Sequence, residues 1–560
     1  MKKLRAVASI CLGLVMLSGG VMVGCRSKGD SGVDATKSQL TIGNYEGGLG
    51  DQWLKEIAEN FMADYADYSF EDGKTGCQIW VDSRKEYAGD QLVATIPYGE
   101  ASIICTQSCP YSNLAGQGIL KDVTAWVSED IFDENMNMVY DADGNVTSTG
   151  ATHSILDFLQ SEYEEYYNIN DKYYGMPFSQ MVGGMWYDAD LFDSKGFYFF
   201  ADGSLGAKQI DIDEGRAGPG PDGKMETKSD NGLPETWSDF MTLMDTMKTS
   251  VTPFTWAGAT NYQRSWFYNA LVAQYEGYDD MALNYSLLGQ DKSQPEINVT
   301  NEYEVSLLAQ QNGRKAAPYM VRDIVQPGYF SSAAFNGAQT HTGAQREFLE
   351  STNTTRPIAM FIEGSYWLNE ARDVCDEMEQ INPEWGYSER NIRYMTIPYF
   401  DEHDGIPAQA SHEIILNSQL DDTAILVKSN LECEELTKLF YQYMHSRESM
   451  VICEKNTLTF RPFNYELEDD EYEELPKPIL SLRNLIDDGA KIVNNLPRTT
   501  LYANSQDRLN NFPLRADIDK HNLGSQIDIF YYFNQYSDLT WQDWYNGIVK
   551  EIEGKWPKQA

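Results

Sequence analysis

Short apolar runs punctuate the chain, and their period switches between two and about four. LTIGN (40–44) reads as a buried strand. After YEGGLG come Trp53, Ile57, Phe61 and Tyr65, whose four-residue spacing predicts a helix. CQIWV (77–81) and ASIIC (101–105) predict further strands, with a helix near 85–95 between them. This β-α-β-α alternation predicts a largely parallel sheet with helices on its faces. The alternation returns after residue 175, where GGMWYD (183–188) is strand-like. Thr236 to Asp239 has the pattern of a helix capping box, ahead of an apolar stripe of Trp237, Phe240, Met241, Met244 and Met247. Thr540 to Asp543 repeats it before Trp544, Tyr545, Ile548 and Ile552. The Gly/Pro/Asp-rich stretch 202–235 reads as a surface insertion.

The first residues follow another pattern. Lys2, Lys3 and Arg5 form a basic segment, and Ala6 to Met16 is an apolar run too short to span a bilayer comfortably. Small residues then lead to Cys25. Met22-Val23-Gly24-Cys25 resembles a bacterial lipobox, with Met22 where leucine is usual. The resemblance implies a signal peptide over 1–24, lipidation of the Cys25 thiol, and a protein held on the outer face of a cell membrane. Residues 25–37 then read as a lipidated cysteine and flexible polar tether. No other stretch reads as a membrane span, so the lipid would be the anchor.

Composition narrows the chemistry. About 535 residues remain after cleavage, enough for more than one domain. Hydrophobic content of 42% and charged content of 23% are ordinary for a globular chain. The formal charge of −42 repels phosphate backbones, so nucleic acid is not an expected partner. Cys77, Cys105, Cys109, Cys375, Cys433 and Cys453 permit disulfides without fixing a pairing. Cys105-x-x-x-Cys109 lacks zinc or redox spacing. DADGN (141–145) and DIDEGRAGPGPDG (211–223) lack the full ligand ladder of a calcium loop and read as hairpin turns. No phosphate-binding loop, H-E-x-x-H helix or G-x-S-x-G elbow occurs, and Gly43 to Gly50 does not match a dinucleotide fingerprint. No cofactor or metal is expected, and nothing singles out a catalytic carboxylate pair.

What does stand out is the set of residues at strand ends, where open α/β sheets bind ligands. These are Asn44, Tyr45 and Glu46; Thr106, Gln107 and Ser108; Phe178, Gln180 and Met181; Trp256; and Glu363, Tyr366 and Trp367. The chain holds 35 Tyr and 12 Trp, a generous supply of flat amphipathic surfaces. An aromatic ring can cover the apolar face of a pyranose, while amides and carboxylates pair with its hydroxyls. Covering roughly 80 Å² of apolar area contributes about 2 kcal/mol. Each hydrogen bond adds roughly 1 kcal/mol and penalises a mismatched hydroxyl.

From about residue 40 onward the chain resembles the bacterial extracellular solute-binding proteins of the carbohydrate, maltose-binding-like type. The resemblance lies in the order of loose segments: TIGNYEGGLGDQWLKEIAENF, ASIICTQSCPYSNLAGQGILKDVTAWV, YYGMPFSQMVGGMWYDADLFDSKGF, LPETWSDFMTLMDTM, AMFIEGSYWLNEA and ELTKLFYQYMHSRESMVICEKNTLTFRPFN. It implies a type II periplasmic-binding-protein fold, in which two α/β lobes joined by crossover hinge strands close on a ligand. Carried over, the crossings fall near 174–182, 405–413 and 452–463. The N-terminal lobe is then 38–173 plus 410–452, and the C-terminal lobe 174–409 plus 453–560. Gln180 and Met181 fall where the maltose-binding relative has an acidic ligand, Tyr366 and Trp367 flank a stacking position, and Arg461 follows the late helix as a polar wall residue. The expected function is capture of a carbohydrate, an oligosaccharide above all, by a monomeric receptor that delivers it to an ABC permease. A surface-tethered glycan hydrolase stays open as an alternative, as does the same fold binding a peptide, polyamine or other solute.

Overall fold

The first strands run β1 (Ser38–Tyr45), β2 (Cys77–Arg84), β3 (Ile103–Thr106), β4 (Gly175–Pro177) and β5 (Met181–Asp188). The later ones are β6 (Thr252–Thr255), β7 (Ile358–Gly364), β8 (Ile392–Met395), β9 (Ile415–Gln419), β10 (Thr423–Leu426) and β11 (Lys491–Asn494). They make a five-stranded sheet in the order β2-β1-β3-β10-β4 and a six-stranded sheet in the order β11-β9-β5-β7-β6, with β8 also paired to β5. These relations come from a computed structural model that describes residues 32–200, 202–206, 231–419, 422–503, 515–524 and 527–557. The signal segment, Cys25 and the 211–223 stretch lie outside the described residues. No helix among the described residues is long and apolar enough to cross a membrane.

Each sheet is the centre of an α/β lobe. The Gln52–Asp64 helix buries Trp53, Leu54, Ile57 and Phe61 in the first core, the face its four-residue spacing predicts. In the second core, Trp237, Phe240 and Met244 pack with Trp256, Phe267 and Trp544. Both capping boxes form: the Thr236 hydroxyl accepts from the Asp239 amide, Thr540 does the same for Asp543, and each aspartate reaches back. DADGN is a turn, in which Asp141 Oδ1 accepts from the amides of Asp143 and Asn145 at 2.9 Å each. Cys77, Cys105, Cys109, Cys375, Cys433 and Cys453 are free thiols.

The sheets are mixed rather than largely parallel. β1 runs parallel to β2 and β3, but β10 is antiparallel to β3 and β4. β5 is antiparallel to β7, β8 and β9. The physical reason lies in the crossings. A strand that enters a sheet directly from the other lobe needs no crossover helix, so nothing constrains it to run parallel. The chain leaves the first sheet at Pro177 and enters the second at Met181, leaves the second at Gln419 and is back in the first by Thr423, and crosses a third time around 457–464. The backbones of Gln180 and Phe460 pair across the first and third passages, with N···O distances of 2.6 and 3.2 Å.

Two strands fall on the other side of the expected boundaries. β4 pairs in the first sheet and β9 in the second. Apolar runs announce that a strand is buried, but not which sheet buries it. Beside the crossings, a polar network ties the lobes. Glu162 of the first lobe accepts from Asn494 Nδ2 at 2.6 Å and Arg498 Nη2 at 2.7 Å, and from the Tyr278 hydroxyl. Asn494 Oδ1 accepts in turn from Tyr163 Oη and Gln180 Nε2, both at 2.9 Å.

Candidate ligand-binding site

Where β1 and β3 end, the first lobe meets the start of the Tyr262–Ser286 helix of the second. A cavity of about 400 Å³ lies at this seam. Asn44, Tyr45, Gly47, Gly48, Leu49, Lys85 and Gln107 form its first-lobe wall. Tyr262, Trp266, His341, Tyr366 and Glu370 form the opposite wall, and Phe178, Met181 and Asp422 contribute from the crossing segments.

The first wall is a folded-back loop. Asn44 is buried, and its Nδ2 donates to Tyr45 O at 3.1 Å and Gly50 O at 3.2 Å, which curls the chain after β1. Gly48 is required by close approach, since a Cβ there would lie only 2.4 Å from Cδ2 of the Tyr366 ring. Asn369 Nδ2 of the second lobe donates to Gly48 O and Leu49 O at 3.2 Å each. The Lys85 ammonium donates to Glu46 O and sits 5.8 Å from the centre of the Tyr45 ring. Burial raises the Tyr45 phenol, and Asp422, Glu370 and Glu46 add to it, so the hydroxyl is neutral and free to donate.

The opposite wall is built on a helix and propped from behind. Tyr262 and Trp266 lie one turn apart, ring centres separated by 4.7 Å and planes at 63°. The Tyr262 hydroxyl donates to Glu363 Oε2 at 2.8 Å, Gln263 Nε2 donates to the same oxygen, and the Gly364 amide donates to Oε1 at 2.9 Å. Glu363 is fully buried, and burial pushes its carboxyl up to about 7 against these donors. Burial would also raise Glu370, but the His341 imidazole beside it and a hydrogen bond from Gln345 Nε2 at 2.6 Å outweigh it and hold the carboxyl below its usual range. The same Glu370 contact holds His341 protonated to higher pH than usual. On the floor, Phe178 stacks on Trp53 with centres 5.4 Å apart and planes at 11°.

Of the residues expected from strand ends, Asn44, Tyr45, Gln107, Phe178, Met181 and Tyr366 meet on this cavity. The others lie elsewhere. Glu46 and Ser108 are exposed beside it. Thr106 is buried, its hydroxyl donating to Tyr87 O at 2.8 Å. Gln180 is held in the crossing network. Trp256 packs 3.9 Å from Phe330 and donates to Ala334 O, and Trp367 packs on Phe361 and Phe348. Glu363 stands behind Tyr262, and the buried Arg461 donates to Met444 O. Lys85, Tyr262, Trp266, His341, Glu370 and Asp422 were not foreseen. An aromatic pair at i, i+4 has the signature of a core stripe, so nothing in Tyr262 and Trp266 marks a ligand wall.

A second cavity of about 800 Å³ opens farther along the lobe boundary, against Tyr111, Tyr166, Asn168, Arg498 and Tyr502. Together the walls offer flat aromatic faces, amide and hydroxyl partners and charges of both signs. Such a surface can cover apolar ligand faces and pair with hydroxyls.

The sequence profile of the bacterial extracellular solute-binding proteins matches residues 78–478. The chain belongs to that family. No curated protein matches the chain. Among solved structures, this solute-binding protein resembles RafE in complex with raffinose at 14% identity and a TM-score of 0.51, over 92% of this chain and 99% of that one. It resembles a chitin oligosaccharide binding protein at 13% identity and 0.51, over 93% and 99%. A cyclic alpha-maltosyl-1,6-maltose binding protein from Arthrobacter globiformis aligns at 12% identity and 0.50, over 93% and 99%. At these identities the likeness is one of fold, the two-lobed type II arrangement.

Proposed function

We propose that this solute-binding protein is the receptor of an ABC importer, captures an oligosaccharide between its lobes and hands it to a permease. The observation that carries the reading is the cavity at the lobe seam, with Tyr45 on one wall and Tyr262, Trp266 and Tyr366 on the other. A ligand that touches both walls stabilises the closed arrangement by its differential affinity for it, and the permease would recognise that state. No bond is made or broken. The solved structures that share the fold carry raffinose, chitin oligosaccharide and cyclic maltosyl-maltose in their descriptions, which supports a glycan longer than one sugar. The lobes divide at the three passages, and Cys25 would tether the receptor by a lipid on the outer membrane face.

Tryptophan fluorescence and thermal melting with a panel of neutral oligosaccharides test the reading. A saturable shift with at least one glycan is expected, as binding to the folded state alone raises the melting temperature. A panel without response, alongside a response to peptides or polyamines, would remove the carbohydrate. Release of cleaved glycoside would replace the receptor by a hydrolase.

A further inference from the structure

The helix that carries Tyr262 and Trp266 breaks at Gly277, where φ is 77°. Beside the break, Glu276, Asp280 and Asp291 each place a carboxylate oxygen within 4.8 Å of the others. The three residues are 4%, 4% and 0% exposed. Asp280 accepts from the Lys292 and Ser293 amides at 2.6 and 3.0 Å. Asp291 accepts from Ser293 Oγ, Gln294 N and Gln311 Nε2 at 3.0, 2.7 and 3.1 Å. Glu276 differs from both. Its Oε1 accepts from the Gly313 amide, while its Oε2 is buried with no hydrogen-bond partner.

An acceptor left bare among carboxylates is costly unless a cation or a proton meets it. The charges of Arg314 and Lys315 act on Glu276 from a distance, but the hydrogen bonds named for the neighbouring cations go to other groups. Lys292 pairs with Asp279, Lys315 donates to Asn312 Oδ1 at 2.8 Å, and Arg314 donates to Leu308 O at 3.0 Å and to Asn284 Oδ1. Burial pushes the Glu276 carboxyl up to about 8, with Asp291 and Asp280 adding to it. A calcium ion bound at about 2.4 Å spans ligand oxygens up to about 5 Å apart, the spread seen here.

We propose that Glu276, Asp280 and Asp291 form a structural site for a hard divalent cation, calcium before magnesium. An adjoining cavity of about 460 Å³, lined by Glu276, Asp280, Lys292, Ser293, Gln294 and Asn312, supplies access, further oxygen donors and room for water. Calcium tolerates such an irregular oxygen set, whereas magnesium demands a near-octahedral one. The ion would join the helix break to the Asp291 segment and the start of the Gly313–Val325 helix. It would thereby fix the far end of the helix that forms the ligand wall. The competing account is a proton on Glu276 and no ion.

The test uses the mature chain stripped with EGTA, in 150 mM sodium chloride to screen the acidic surface. Calcium titration by calorimetry should give one tight site per chain. Saturating calcium should raise the melting temperature by about 5 °C, with magnesium giving less. Glu276→Gln should abolish the calcium response while leaving the stripped protein as stable or more so. If the wild type does not respond to millimolar calcium, or Glu276→Gln responds as the wild type does, the proton account stands and the site is rejected. Should the variant not fold, terbium emission sensitised by Tyr275 and Tyr278 replaces it. Displacement of that emission by micromolar calcium supports the site, and its absence overturns it.

Discussion

On the first-lobe side, the candidate binding cavity is walled by loops that leave the ends of parallel strands; on the other side it is walled by a helix and a buried carboxylate behind it. Asn44, Tyr45 and Gln107 owe their positions to the ladder of β1 and β3. Tyr262 and Trp266 owe theirs to helical spacing and to Glu363, whose two oxygens gather three donors. The first wall is held from its edges, and the second from beneath. Changes to the first should therefore act on closure and contact, and changes beneath the second should be read through protonation.

The largest effect should come from forcing the walls apart. Gly48→Phe places a ring where Tyr366 stands, and overpacking of this kind costs roughly 1–3 kcal/mol. Glycan affinity should fall about 100-fold, while the unliganded protein escapes the strain by parting its walls, so that its melting temperature changes little. Calorimetry and melting on the same sample check this, and equal affinity would show that the loop yields. Next, Trp266→Ala removes a flat face worth about 2 kcal/mol, a loss of about 30-fold. Tyr45→Ala should cost less if the helical wall dominates. A larger loss at Tyr45 would reverse that ranking.

The difference between the walls also decided what could be read from the sequence. The strand-helix grammar from 38 to 106 is local, so it placed Asn44, Tyr45 and Gln107 at strand ends. The capping boxes at Thr236 and Thr540 were equally legible, because each is closed within four residues. Trp256 and Trp367 show the limit. They follow strands as Tyr45 does, yet both face the core, since position after a strand does not say which side a ring turns to. His341 and Glu370 are brought together only by tertiary packing, and no spacing encodes them. The crossings explain the rest. β5 and β10 each enter a sheet straight out of the other lobe, and their antiparallel sense against β7, β9, β3 and β4 follows from that arrival.

A subtler probe of the second wall is the proton on Glu363. Its folded-state pKa of about 7 lies above the ordinary carboxyl value, so the folded state binds the proton more tightly than the unfolded one. The stability this contributes is present at low pH and is lost as pH rises through 7. Between pH 6 and pH 8 the wild type should lose about 1 kcal/mol more than Glu363→Gln, a difference that urea melts resolve. Equal losses would mean that the donors around Glu363 already accommodate its charge.

The smallest effect concerns the rim, where His341 Nε2 lies 3.6 Å from Glu370 Oε1 with the imidazole 39% exposed. The His341 pKa is raised, so its stabilising charge is complete below about 6.5 and disappears as pH climbs through the raised value. Glu370 is lowered, so its share is lost only as pH falls through its depressed value. The pair is therefore strongest in mildly acidic solution. Solvent screens so exposed a pair, which limits it to roughly 0.5 kcal/mol. His341→Gln keeps a donor towards Glu370 but cannot titrate, and it should flatten a change in glycan affinity of about twofold between pH 6 and 8. If the wild type shows no such change, the rim is electrostatically indifferent and the wall works through Tyr262 and Trp266. If His341→Gln retains the change, the titrating group is not His341.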